Sequence, residues 1–202
     1  MQAPQTESVG TAVALATAAE VPGTPGSRSI MERRASRLAA RRAINALAGR
    51  EVSVVIRRTL GGAPTVYLRG RPPAAAAGFA LSLAHRDDRA AAVAAPAGAQ
   101  VGVDLERSDA VDPAHAGYFL TPRERVGRTL TLAELWALKE AAWKALALGG
   151  AVAFHELELH VDSGGQLRAL TVQGRRMGAS ATLSTPWPGY VLATVVVEAS
   201  SC

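Results

Sequence analysis

Apolar and polar residues alternate in residues 101–106, which predicts a β-strand whose side chains point to two opposite faces. Valine and leucine side chains form the face toward the core, and Gly102, Asp104 and Glu106 share the other face. A polar face of this kind is commonly just exposed to water. Two neighbouring carboxylates, however, repel each other unless a cation lies between them, and a glycine lets a ligand approach the backbone closely. The pattern therefore leaves two interpretations open, a solvated strand face and a cation site.

A helical period in residues 131–148 places one apolar stripe toward the core and a second stripe that carries Trp136, Glu140 and Lys144. An isolated Glu/Lys pair four residues apart on an exposed helix contributes only a few tenths of a kcal/mol. The segment nevertheless contains Lys139 and Lys144, the only lysines in a chain whose other basic residues are arginines. An ammonium group is a compact charge that can lose its proton, unlike a guanidinium. These observations favour a functional helix.

The remaining pattern predicts a mixed α+β protein in which a helix followed by antiparallel strands occurs twice. Residues 1–28 lack periodicity and are rich in Ala, Gly, Pro, Ser and Thr, which predicts a disordered leader. Two halves, residues 29–100 and 101–202, follow it. Thr121, Pro122 and Glu124 form a capping box, and Gly149 and Gly150 are the expected C-terminal cap of the second long helix. The other predicted elements are a helix at 29–48 and strands at 52–57, 65–68, 79–83, 91–95, 154–161, 167–173, 179–183 and 191–197.

Charge adds a basic surface to this picture, since the 202 residues carry a net charge of +5 and have a pI of about 10.1. Arginines dominate from Arg28 to Arg50, where Glu32 is the single acidic residue before Arg50. Such a helix binds the phosphates of a nucleotide cofactor or an acidic partner, or is a solvated basic face with no ligand. A nucleic-acid-binding protein is a further alternative, but the helix lacks the aromatic residues on which bases stack.

Other features restrict the cellular setting. The single cysteine, Cys202, excludes an internal disulfide. No apolar run approaches the roughly 20 residues that a membrane span requires, and the start of the chain lacks the basic segment of a signal peptide. We therefore expect a cytoplasmic protein that is not bound to a membrane.

Two segments together resemble the signature of the 4′-phosphopantetheinyl transferases: Gly102-x-Asp104-x-Glu106, and about thirty residues later Trp136-x-x-Lys139-Glu140-Ala141-x-x-Lys144. Three further segments resemble parts of the same family. These are Leu81-Ser82-Leu83-Ala84-His85, the arginine-rich residues 33–43, and the aromatic and Glu-containing turn at residues 118–124. The chain length is similar to that of the surfactin-type members, which are single chains of two pseudo-symmetric halves.

The resemblance implies both a fold and a reaction. Each half is expected to be a helix packed on an antiparallel sheet, in a monomer. The implied reaction transfers the 4′-phosphopantetheine arm from coenzyme A to a serine of an acidic apo carrier protein and releases adenosine 3′,5′-bisphosphate. Mg²⁺ is the implied cofactor, and nucleic acid and membrane are not implied partners.

The resemblance also implies roles for individual residues. Asp104, Glu106 and Glu140 would hold Mg²⁺, and Glu140 would alternatively accept the serine proton. Lys144 would pair with a coenzyme A phosphate and protonate the leaving group. The residues that would contact coenzyme A, besides Lys144, are Ser82 and His85 at the phosphates and Arg33, Arg34 or Arg41 at the 3′-phosphate.

The chain departs from the family at two positions. Ala84 stands where the family has the second serine of Ser-x-Ser-His, and Ala63 stands where a basic residue often precedes the proline of a turn. Arg71 or Arg86 is a candidate replacement for the missing coenzyme A contacts. These departures leave open a repurposed or non-catalytic relative that binds a carrier protein or a coenzyme A-like ligand.

Overall fold

The computed structural model describes residues 10–21, 27–59, 62–69, 78–126, 128–148 and 152–198. The N-terminal part of the chain contains β1 (Ala12–Thr17), α1 (Arg28–Ala48), β2 (Val54–Arg58), β3 (Pro64–Leu68), β4 (Phe79–Arg86) and β5 (Arg89–Pro96). The C-terminal part contains β6 (Gln100–Arg107), α2 (Ala116–Phe119), α3 (Pro122–Arg125), α4 (Leu132–Ala145), β7 (Leu157–Val161), β8 (Leu167–Val172), β9 (Arg175–Ser184) and β10 (Tyr190–Val197). This is a mixed fold of helices and antiparallel sheets, as predicted. Within the described residues, no helix has both the length and the apolar character needed to cross a bilayer.

Small residues allow the first helix to pack closely on its sheet. The strands β1, β5 and β4 form an antiparallel sheet in that order. The buried face of α1 consists mainly of alanines and contacts alanines of β5 in one apolar cluster. Alanine favours a helix and has no side-chain entropy to lose on burial. The result is a helix-on-sheet layer built with few large side chains.

The predicted disordered leader is wrong for part of its length. Ala12 to Thr17 pair with Ala94 to Arg89 in an antiparallel ladder, and Ala16 is fully buried. Beyond the strand, Glu20 binds Arg42 of α1 at 2.6 Å between Oε2 and Nη1. Residues 1–9 and 22–26 of the predicted leader lie outside the described residues.

The C-terminal sheet is a single antiparallel sheet with the order β6-β10-β9-β8-β7. The last four predicted strands are present, and each pairs antiparallel with the next one along the chain, as the predicted antiparallel arrangement requires. Helix α4 begins after a capping box formed by Thr131 and Glu134, and the predicted capping box of Thr121 and Glu124 is also present. Helix α4 ends at Ala145 with Leu146 as its cap, so the predicted extension to Leu148 is wrong. The two glycines predicted as the cap lie outside the described residues.

A third apolar cluster joins the two parts of the chain. It brings Ala84 and Val93 of the N-terminal sheet together with Val103, Leu105 and other residues of the C-terminal sheet. One hydrogen bond reinforces this contact, since the Val103 amide donates to the Ser82 hydroxyl at 3.2 Å. The apolar face of β6 is thus covered by the N-terminal part, and its polar face is left for α4.

Candidate active site

Helix α4 lies directly on the polar face of β6, and Gly102 is the residue that permits this contact. A Cβ atom at Gly102 would lie 1.8 Å from the carbonyl oxygen of Ala141. Because this oxygen belongs to the main chain of α4, a side-chain rotation could not relieve the clash. The sequence interpretation assigned the close approach at this glycine to a ligand. That assignment is wrong, because the helix backbone occupies the space. The contact brings the carboxylates of β6 next to the charged stripe of α4.

Asp104 and Lys144 form the closest ion pair of this contact, with 2.6 Å between Oδ1 and Nζ. The Lys144 ammonium also donates to the Val103 carbonyl at 3.2 Å, whereas its distance to Glu140 Oε2 is 3.9 Å. Asp104 is buried and the Lys144 side chain is 30% exposed. The ammonium is therefore anchored to the strand and is still partly open to solvent.

Glu106 is buried beside a different cation. Its Oε1 atom lies 3.0 Å from Nε of Arg86 and accepts a hydrogen bond of 2.7 Å from the Arg107 amide. Burial raises the pKa of Glu106, and the negative charges of Asp104 and Asp87 add to this, while the Arg107 amide and Arg86 oppose it. Arg86, considered at the sequence level only as a replacement for a missing contact, thus belongs to the carboxylate cluster itself.

Glu140 projects from α4 toward the two strand carboxylates. Burial is the main reason why its pKa is raised, and the charge of Asp104 is the next, while Lys144 lowers it and Glu106 raises it further. Asp104 Oδ1 and Glu140 Oε2 lie 2.6 Å and 3.9 Å from the same Lys144 ammonium, and Glu106 follows Asp104 two residues later on β6. A carboxylate whose pKa is raised by burial and by a neighbouring carboxylate is a candidate functional group.

The oxygen donors of this cluster have the chemistry that a hard cation such as Mg²⁺ prefers. Among the described residues, however, no group of three or more His, Cys, Asp or Glu side chains has the arrangement of a metal site. Asp104 and Glu106 are instead neutralised by Lys144 and Arg86. The donor atoms have the chemistry that suits Mg²⁺, but the Lys144 and Arg86 side chains contact them where a metal ion would bind.

The predicted coenzyme A residues lie on β4 and α1, with differing accessibility. His85 is exposed at the end of β4, and its Nε2 atom lies 3.9 Å from Glu32 Oε2 of α1. Arg33 and Arg41 are exposed on α1, and Arg34 is half-buried. Ser82 is buried with its hydroxyl bound to the Val103 amide, so little of it is open to a ligand.

Ala84, one of the two departures from the family pattern, is buried in the cluster that joins the two sheets. A serine at this position would place its hydroxyl next to apolar side chains. The second departure, Ala63, is exposed in the turn between β2 and β3, where the Thr59 amide donates to its carbonyl at 2.9 Å. Arg71 lies outside the described residues.

Lys139 does not belong to the charged cluster. Its side chain is fully buried, and its Nζ atom lies 2.8 Å from Glu124 Oε2 and donates to the Phe154 carbonyl at 3.1 Å. Burial lowers the pKa of Lys139, and Glu124 opposes this effect. The two neighbouring tryptophans are structural too, because Trp136 and Trp143 both stack on Phe154. One lysine of the signature thus holds the fold while the other reaches the site.

Sequence reasoning missed a network at the hairpin between β4 and β5. The Tyr190 hydroxyl donates to Asp87 Oδ2 at 2.7 Å, and Arg28 at the start of α1 binds the other oxygen of Asp87 at 3.0 Å. The Arg89 guanidinium lies over the Tyr190 ring at 4.4 Å from its centroid. The network fixes the hairpin that carries His85 and Arg86. Its members are far apart in the sequence, so no local pattern marks them.

Comparison with known proteins agrees with the arrangement in the C-terminal part of the chain. Residues 100–195 match the family model of the 4′-phosphopantetheinyl transferase superfamily. The matched region contains β6 and α4, and with them Asp104, Glu106, Glu140 and Lys144. The arginines of α1 and His85 of β4 lie before it. The family match therefore bears on the carboxylate cluster and not on the predicted coenzyme A residues of the N-terminal part.

Among solved structures, the chain is similar to the holo-acyl-carrier-protein synthase of Thermotoga maritima, with 28% sequence identity and a TM-score of 0.41. The similarity covers 49% of this chain and 62% of the Thermotoga chain, so it spans about three fifths of that protein. No curated relative matches the chain.

Proposed function

We propose that the protein transfers the 4′-phosphopantetheine arm of coenzyme A to a serine hydroxyl of an acyl or peptidyl carrier protein and releases adenosine 3′,5′-bisphosphate. The observation that carries this proposal is the meeting of Asp104 and Glu106 on β6 with Glu140 and Lys144 on α4. All four lie within the region that matches the transferase superfamily. Three coupled carboxylates beside an ammonium suit the transfer of a phosphoryl-linked group, which depends on charge neutralisation and positioning.

The metal-binding residues in this proposal are Asp104, Glu106 and Glu140. Bound Mg²⁺ would neutralise charge on the pyrophosphate of coenzyme A. Glu140 is also placed to accept the proton of the attacking serine, since its raised pKa makes it a stronger base than an ordinary glutamate. Lys144 would bind the phosphate and donate a proton to the departing bisphosphate, because its ammonium is partly exposed next to the cluster.

The coenzyme A phosphates would lie along the N-terminal rim of the cluster. His85 and Arg86 end β4 on that side, and α1 presents Arg33, Arg34 and Arg41. A guanidinium binds a phosphate with two parallel hydrogen bonds, which suits it to the 3′-phosphate. Ser82 contributes less directly, through the backbone of Val103 next to Asp104.

We also propose the surfactin-type organisation, a monomer of two pseudo-symmetric halves. The supporting observation is that one helix lies on an antiparallel sheet in each part of the chain, α1 on β1 and β5 and α4 on β6 and β10. Sedimentation of the purified protein tests the monomer, since a trimer would contradict this organisation.

A transfer assay tests the reaction. Candidate apo carrier proteins are incubated with the protein, Mg²⁺ and coenzyme A, and mass spectrometry is expected to show the addition of one phosphopantetheine group to the carrier serine. Omitting Mg²⁺ is the control. Binding of the carrier protein without any change in its mass would favour the alternative that this protein is a non-catalytic member of the family. The acidic carrier is expected to associate faster at low ionic strength, because salt screens its attraction to the basic protein.

A further inference from the structure

A cavity of about 440 Å³ opens on another part of the C-terminal region, between the segment that connects α3 to α4 and strand β7 with the turn after it. Its lining includes Leu130 and Leu135 at the start of α4 and Leu159 and Val161 of β7. No residue of the carboxylate cluster lines it. The cavity is therefore separate from the proposed transferase site.

The acidic residues that line this cavity are already paired. Glu124 binds the buried Lys139 at 2.8 Å, and Asp162 binds Arg168 at 2.8 Å. Glu158 lies 3.5 Å from Arg123, which also lines the cavity. Each carboxylate charge thus has a cation beside it, and the acidic lining adds little net negative potential.

Two arginines of the lining have no such partner. Arg128, between α3 and α4, and Arg176 of β9 are exposed, and within the described residues neither guanidinium group forms a hydrogen bond or an ion pair. The hydroxyl-bearing Thr129 and Ser163 lie in the same lining. A guanidinium is a rigid fork of donors that matches a phosphate or carboxylate group. Two uncompensated guanidinium groups around one cavity therefore leave a site with a net positive charge.

We propose that this cavity is a binding site for a small organic anion with two or more phosphate or carboxylate groups, held by Arg128 and Arg176. The volume favours a small molecule, because pockets of about 300–1,000 Å³ are typical of small-ligand sites. The leucines and valine of the wall would contact the carbon skeleton, and Thr129 and Ser163 would supply further hydrogen bonds. The proposal does not depend on the transferase activity.

Calorimetry on the full chain at low salt, without Mg²⁺, tests the site with pyrophosphate and with citrate as separate probes. We expect binding of at least one probe, and a loss of affinity of about tenfold or more in Arg128→Gln and in Arg176→Gln, as for a charge-assisted contact. Arg175→Gln is the matched control, since it removes the same charge from the same strand outside the cavity lining. Binding of pyrophosphate alone would indicate a phosphate ligand, and binding of citrate alone would indicate a carboxylate ligand.

Two further measurements test whether this cavity is distinct from the proposed coenzyme A site. Saturating coenzyme A is expected to leave the probe affinity unchanged, and Arg176→Gln is expected to leave phosphopantetheine transfer unchanged. Absence of binding by both probes at millimolar concentration would overturn the proposal, as would an equal loss in Arg175→Gln. A loss of carrier affinity in Arg128→Gln and Arg176→Gln without any probe binding would also overturn it, and would make the cavity part of a protein-docking surface.

Discussion

Asp104 of β6 holds Lys144 of α4 at 2.6 Å, while Glu140, one turn away on the same helix, lies 3.9 Å from the same ammonium group. The lysine is therefore positioned by the strand under the helix and not by its helical neighbour. Lys144 therefore neutralises the negative charge of Glu140 only weakly, which agrees with the raised pKa of Glu140. Activity should thus depend on the strand carboxylate for both charge and position.

Asp104→Asn is expected to reduce phosphopantetheine transfer by about 100-fold, within the range of losses at metal-site residues. The amide has nearly the same shape, so the fold should persist. The measurement is the transfer rate at saturating Mg²⁺, with circular dichroism as the check on folding. Asp109→Asn is the control, since Asp109 is exposed and binds Arg107 on the surface. Activity of the Asp104 variant within about tenfold of wild type would remove Asp104 from the proposed site.

Lys144→Arg and Lys144→Gln together separate charge from proton donation. An arginine keeps the positive charge but does not release its proton in proteins. If Lys144 protonates the leaving group, both variants should lose about 100-fold or more in turnover, with coenzyme A binding reduced far less in the arginine variant. Single-turnover kinetics measure the first effect and calorimetry the second. Activity retained by arginine and lost by glutamine would assign Lys144 a purely electrostatic role.

Glu140→Gln is expected to abolish transfer and yet raise the thermal midpoint at about pH 8 in the absence of Mg²⁺. The pKa of Glu140 in the folded state lies above its ordinary value of 4.5, so the folded form binds the proton more tightly than the unfolded form. Stability from this group is complete below 4.5 and is lost as the pH rises through the folded pKa. The midpoints of the two proteins should therefore converge below about pH 4.5.

The same titration predicts the pH dependence of activity. If Glu140 accepts the serine proton, transfer should rise as the pH increases through its raised pKa, because the deprotonated form is the base. A stabilisation of Glu140→Gln that is larger at acidic than at alkaline pH would contradict the assigned cause of the shift.

Lys139→Met is expected to destabilise the protein by about 3–5 kcal/mol, because it leaves Glu124 buried without its cation. The Lys139 side chain is fully buried, and its ammonium binds Glu124 of α3 and the Leu157 carbonyl of β7, so this position is structural. Urea unfolding measures the loss. The double variant Lys139→Met with Glu124→Gln should recover most of it, and a double variant as unstable as the single one would show that the ion pair is not the cause.

The sequence predicted which residues share the polar face of β6 and the charged stripe of α4, because each pattern depends only on the period of its own element. The packing of α4 on β6 then places the Lys144 ammonium 2.6 Å from Asp104 and 3.9 Å from Glu140. The group that contacts a residue from another element depends on tertiary packing, which the local pattern does not contain. At Gly102 the prediction was therefore wrong, because a helix occupies the place assigned to a ligand. The pairing of Tyr190 with Asp87 spans 103 residues, so no local pattern could reveal it.

The alanine-rich segments were difficult for another reason. Alanine is depleted in strands generally, so β1 carries little intrinsic signal and was assigned to a leader. It becomes a strand because its partner β5 is alanine-rich too, and the small side chains let α1 cover both strands. Residues 91–95 were predicted as a strand, and they lie within β5.

The cluster that joins β4 and β5 to β6 and β10 has a consequence for dissection of the protein. Cleavage between β5 and β6 would leave each fragment with an uncovered apolar sheet face that fits the other. Each fragment alone should be less soluble than the intact chain. The two fragments could therefore serve as the two parts of a split reporter. Reassembly would restore the Asp87–Tyr190 bond and bring Arg86 back to Glu106, so recovered transfer activity would report contact between the two fused partners.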